Sequence, residues 1–176
     1  MKDGLAYQFD KLEQLEKEGK VIIEPLYNTG LRYLDAYPQT PNSAMTALTD
    51  WKGEGRKSVW FSSKNYRVNL FADDHGFRIR DLMLFDDEYK ERYLEKVCDS
   101  PAMVYDTLPV VDGNRWSGGG IYAGWYVCSG GSPLQISELR VTEEGEALRV
   151  SVFADKGSLE VLCGTDSLVF NTNIPE

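Results

Sequence analysis

The stretch from residue 134 to residue 175 constrains the fold most. It holds four runs, LQISELRVT, ALRVSVFAD, SLEVLCG and SLVFNTN, in which apolar and polar residues alternate, separated by the short breaks EEG, KG and GTD. A period of two sends successive side chains to opposite faces of a strand, and breaks this short return the chain antiparallel to itself. The reading is a four-stranded antiparallel meander that closes a mainly β domain.

The same grammar begins after Pro41. Residues 59–63, 65–72 and 77–85 are aromatic and β-branched runs broken by Ser-Lys and by Asp-Asp-His-Gly, which reads as successive hairpins with His75 at a tip. Alternation places Tyr66, Val68 and Leu70 opposite Arg67, Asn69 and Phe71. In the next run it places Phe77, Ile79, Asp81 and Met83 opposite Arg78, Arg80, Leu82 and Leu84. Asp81 is then expected to meet Arg67 on the neighbouring strand, with Arg78 and Arg80 on the other face. Further strands are expected at 103–106, 108–111 and 120–128, and one short helix within 86–97, where Tyr89, Tyr93, Leu94 and Val97 keep helical spacing. So many strands in one domain need two packed sheets or closure, and an antiparallel β-sandwich over 42–176 is the preferred arrangement.

Residues 1–41 differ. Leu5, Phe9, Leu12 and Leu15 recur at helical spacing up to a stop at Gly19, Val21 to Ile23 form a short apolar strand, and a second helix carries Leu31, Leu34 and Ala36 before Pro38 and Pro41. This helix-strand-helix segment is expected to pack on the sandwich or on a partner, including a second copy of the chain.

Charge narrows the partners. A net charge of −9, with lysines and arginines scattered, disfavours nucleic acid and anionic lipid. No window reaches the ~20 apolar residues of a membrane helix, and the N-terminus has no apolar signal-peptide core, so the chain as written is expected in the cytoplasm. Cys98, Cys128 and Cys163 are too widely spaced for a disulfide framework or a paired zinc site and are expected as reduced core residues. His75 is the only histidine, and no metal site or cofactor is expected. The loop DGNRWSGGG is rich in glycine but lacks both GxGxxG and a GKS/GKT ending, so turn chemistry explains it better than nucleotide binding.

Two segments carry resemblances. Residues 148–175, with an alternating strand, Asp155, a small-residue turn ending at Ser158, then Leu159, Glu160 and Val161 and a last strand to Pro175, resemble the end of the C-terminal β-sandwich of levanases and invertases. In that family the sandwich is not the catalytic part. Residues 4–41 are similar to the last helix, strand and helix of a polysaccharide-deacetylase-like barrel, whose metal ligands and catalytic acids lie outside the matching part. The resemblances imply an accessory or carbohydrate-binding module related to glycoside hydrolases, bacterial in style, with residues 1–40 meeting an upstream barrel domain or a second copy of the chain, and an extracellular site if the chain is a fragment of a longer secreted protein.

Sugar sites pair an aromatic face with groups that hydrogen-bond hydroxyls. Asp112, Asn114, Arg115 and Trp116 share one loop, and Tyr122 and Trp125 follow on the next strand, so these six are the candidate ligand-binding residues. Trp116 capping a sheet edge and Asp112 shaping a turn is the plainer reading. Trp51 and Trp60 are expected in the core. Three functions stay open: a glycan-binding accessory module without catalytic residues, a small sugar-acting hydrolase or lyase using Asp81 or Asp112, and an assembly module with no ligand.

Overall fold

The computed structural model describes residues 2–90, 92–101 and 108–175. The chain divides into two compact units, Met1–Gln39 and Thr40–Glu176.

The first unit is helical. Helix α1 (Lys2–Lys17) stops where Gly19 takes a φ of 69°, and there the Gly19 and Lys20 amides donate to the Glu16 and Leu15 carbonyls at 2.9 Å each. That pair of bonds satisfies carbonyls left open at a helix end, and the left-handed backbone it needs suits glycine. Helix α2 (Leu26–Ala36) starts after Pro25, whose fixed φ suits a helix entry, and ends before Pro38, which drives Tyr37 to extended backbone at φ −130°. The strand expected at Val21 to Ile23 does not form. The segment pairs with no other strand, and a lone apolar triplet has no ladder to complete.

The second unit is mainly β and antiparallel throughout. Strands β1 (Ser43–Ala47), β2 (Lys57–Ser62), β3 (Tyr66–Asp73), β4 (Gly76–Leu84) and β5 (Leu108–Asp112) form a sheet in chain order. The short β6 (Trp125–Tyr126) joins β4 on the same edge as β5 but at the other end, opposite Arg78 and Ile79. After the small β7 (Cys128–Ser129) and β8 (Ser132–Pro133) pair comes the closing meander, β9 (Glu138–Glu144), β10 (Ala147–Ala154), β11 (Gly157–Cys163) and β12 (Leu168–Thr172), as the sequence predicts. One core joins the two large sheets: Val59, Phe61, Val68, Leu70, Phe77 and Ile79 from the first pack with Leu148, Val150, Val152, Leu159 and Val161 from the second. This is a sandwich, with burial of these side chains as its main stabilising term.

Polar bonds fasten one end. Tyr66 Oη donates to the Gly164 and Ser167 carbonyls at 2.7 and 3.1 Å, and Ser63 Oγ to the Thr165 carbonyl at 2.9 Å. The turn after β2 is thereby tied to the turn after β11. Cys163 lies in the core, where burial pushes its thiol up to about 12. Cys98 and Cys128 are exposed, contrary to the expectation of core cysteines, and Trp51 is 91% exposed beside a turn closed by Asp50, whose carboxylate accepts the Lys52, Glu54 and Arg56 amides. The helix expected in 86–97 is reduced to a single turn, α3 (Arg92–Glu95), and the strand expected at 103–106 lies outside the described residues. No described helix is long and apolar enough to cross a membrane.

Candidate functional site

The outer face of the first sheet is polar and, on β3 and β4 at its middle, buried: Asn69, Phe71, Arg78 and Asp81 are almost inaccessible there. Register aligns Met45, Trp60, Asn69, Asp81 and Asp112 in one row across β1 to β5, and Ala47, Ser58, Phe71, Arg78 and Tyr126 in the next. Between the rows β4 carries one extra residue: Asn69 pairs with Asp81 and Leu70 with Ile79, so Arg80 has no partner of its own across the ladder. This bulge corrects the simple alternation. Ile79 and Leu82 both turn to the core, and Arg78, Arg80 and Asp81 all share the outer face.

Within that face the expected ion pair is present. Arg67 Nε and Nη2 donate to the two oxygens of Asp81 at 2.9 and 3.1 Å, with Asp81 only 1% exposed. Arg78, 3% exposed, makes the same forked contact with Asp73 at 2.7 and 2.8 Å. Burial alone would raise the Asp73 carboxyl, but the hydrogen bonds and charge of Arg78 outweigh it and hold the group below the usual carboxylate range. Asn69, fully buried, donates to Ser58 Oγ and the Val59 carbonyl, and its Oδ1 accepts Arg80 Nε at 2.8 Å.

The loop candidates assemble at the edge of this sheet. Asp112 caps a single helical turn, α4 (Gly113–Trp116), by accepting the Arg115 amide at 3.0 Å. Aspartate followed by Gly-Asn-Arg was the sequence signal for that turn. Gly113 and Gly124 let the excursion lie against β4: a Cβ on Gly113 would stand 2.5 Å from the Arg80 carbonyl oxygen, and one on Gly124 2.8 Å from that of Ile79. A cleft of about 430 Å³ results, lined by Val110, Asp112, Arg115, Trp116, Gly124 and Trp125 among others. Trp116 and Trp125 are 67% and 54% exposed, so Trp116 does not act as a buried edge cap. Arg115 lies over the Trp116 ring, its Cζ 5.3 Å from the centroid.

Four of the six candidates therefore line one cleft, while Asn114 and Tyr122 do not. Tyr122 instead stacks on His75, ring centroids 3.5 Å apart, which gives the hairpin-tip histidine a packing role that spacing could not reveal. Among the described residues no three His, Cys, Asp or Glu side chains converge as a metal site would require. Comparison with protein-family models, curated proteins and solved structures found no match.

Proposed function

We propose that the chain is a non-catalytic β-sandwich module that binds carbohydrate at the cleft between β5, α4 and β6. The observation that carries this reading is the pair of exposed indoles, Trp116 and Trp125, on a cleft that also presents Asp112 and Arg115. Apolar ring faces of sugars stack on indole, and a carboxylate and a guanidinium supply acceptors and donors for hydroxyls. The volume lies within the ~300–1,000 Å³ range of small-ligand sites.

The hydrolase alternative has less support. Asp81 and Asp112 are cross-strand partners, but Asp81 is buried with both oxygens on Arg67, and Asp112 spends one oxygen capping α4. A pair of carboxylates that cleaves a glycosidic bond must reach the bond from both sides. Exposed Leu5, Phe9 and Leu12 on α1 are in keeping with an attachment role for residues 1–40 in the same module.

Affinity electrophoresis against a polysaccharide panel, run beside a glycosidase screen, tests the proposal. Retardation without turnover is expected, weakened about tenfold or more, roughly 1.4 kcal/mol, by Trp116→Ala or Trp125→Ala. Turnover that disappears in Asp112→Asn would instead establish the enzyme reading.

A further inference from the structure

We propose that the outer face of the first sheet contains a second ligand site, a carboxylate-binding site centred on the Arg80 guanidinium. It stands apart from the cleft, since none of its residues lines the cleft.

Charge counting on this face leads to it. Three arginines, Arg67, Arg78 and Arg80, share the face with Asp73, Asp81 and Asp112: Arg67 takes Asp81 and Arg78 takes Asp73, each through two bonds, and Asp112 at the edge caps α4. Arg80 is left over. Among the described residues its contacts are the Nε bond to Asn69 and the ring of Phe71, over which its Cζ lies 3.9 Å from the centroid. These two contacts fix the plane of the guanidinium and leave its terminal nitrogens without an acceptor. The side chain is only partly exposed, and burial, followed by the charge of Arg78, pulls Arg80 below the ordinary arginine value. A guanidinium in such a place is stabilised by an anion.

A second observation points the same way. Arg78, whose Cζ lies 4.9 Å from the same Phe71 centroid, keeps a buried Nε without any hydrogen-bond partner, the one such atom among the described residues. Buried donors are rarely left open in a folded protein, so this cluster has unused donor capacity at two of its arginines.

The class of ligand follows from the fork and the count. Two parallel N–H groups in a fixed plane match the two oxygens of a carboxylate. Among the described residues Arg80 is the one of the three arginines bonded to no carboxylate, and a single bound carboxylate would supply one, whereas a dianion would also face Asp73, Asp81, Asp112 and a chain of net charge −9. The carboxylate could be free or could belong to an acidic sugar, and both present the same group to Arg80.

The test is a titration of the full chain, labelled at arginine side chains, with sodium acetate, with sodium galacturonate, and with sodium chloride at matched ionic strength, following the Arg80 Nε–H resonance. Saturable movement with acetate and galacturonate but not with chloride is expected. Tighter saturation by galacturonate identifies the sugar acid as the better source, and equal saturation a free carboxylate. Arg80→Lys, which keeps the charge and loses the fork, is followed through the neighbouring Arg78 Nε–H resonance and is expected to bind acetate at least about tenfold more weakly. Should that variant not fold, the wild-type titration decides alone. Movement with chloride equal to that with acetate, or no saturation by either carboxylate, overturns the proposal.

Discussion

Removing Asp73 tests the buried ion pair most directly. Asp73→Ala leaves the Arg78 guanidinium, whose side chain is 3% exposed, without the two bonds of 2.7 and 2.8 Å that compensate its burial. Breaking one partner of a buried pair costs about 3–5 kcal/mol, because the surviving charge stays out of water. At roughly 2–4 °C per kcal/mol for a chain of this size, the melting temperature should fall by about 6–20 °C. Asp73 Oδ1 also accepts the His75 amide at 3.0 Å, a neutral bond whose loss adds on the order of 1 kcal/mol. The double variant Asp73→Ala/Arg78→Met removes the orphaned charge and replaces it with an apolar chain, so it should recover all but about 1 kcal/mol of the loss. Urea unfolding of the wild type and both variants gives the numbers. A single-variant loss below about 1 kcal/mol, or a double variant no more stable than the single, would refute the account of this face as a network of mutually compensated charges.

The same carboxylate predicts a pH dependence. Because its folded-state pKa lies below the unfolded value of ~3.9, its contribution is fully present above that value and is lost as pH falls through the folded one, so urea midpoints should drop below about pH 4 and drop less steeply in Asp73→Ala. Gly113→Ala drives a Cβ against two carbonyl oxygens, of Arg80 at 2.5 Å and Ala123 at 2.6 Å, and should cost about 1–3 kcal/mol while altering the emission of the cleft tryptophans. Unchanged stability and emission would mean that the excursion does not depend on that close approach.

The closing meander was legible because nothing interrupts its period of two, and each turn falls where a charged or glycine-bearing break marks it. The first sheet was legible in its hairpins but not in its faces. Counting by twos across GFRIRDLML sends Arg80 and Asp81 to opposite sides, and only the spacing of three between Ile79 and Leu82, with two charged residues in succession, hints at an inserted residue. Strand β1 escaped notice because an edge strand reading SAMTA buries none of its side chains, and burial on one face is what creates a pattern. In the loop, Asp112, Arg115, Trp116 and Trp125 meet at one cleft because they are close in sequence around α4 and β6, whereas Tyr122 is drawn away by His75, a partner set by the fold and not by proximity in sequence. The pairing of Arg67 with Asp81 was readable because it joins adjacent strands. The surplus of Arg80 was not, because it emerges only after the other charges have found their partners.

The way β5 and β6 divide one edge of β4 has a consequence for engineering. The chain leaves the ladder after Asp112 and rejoins it at Trp125, and the two glycines that touch β4 bracket what lies between. Gly118, Gly119 and Gly120 have open space around them, but their φ values of 152°, 58° and 87° favour glycine, so a varied loop needs its own turn residues there. The span from Asn114 to Ile121 is therefore a loop held between two anchor points, and a library varied there, with Gly113, Ser117, Tyr122 and Gly124 kept for their contacts to the framework, would display new sequences from a framework whose strand pairings stay as they are.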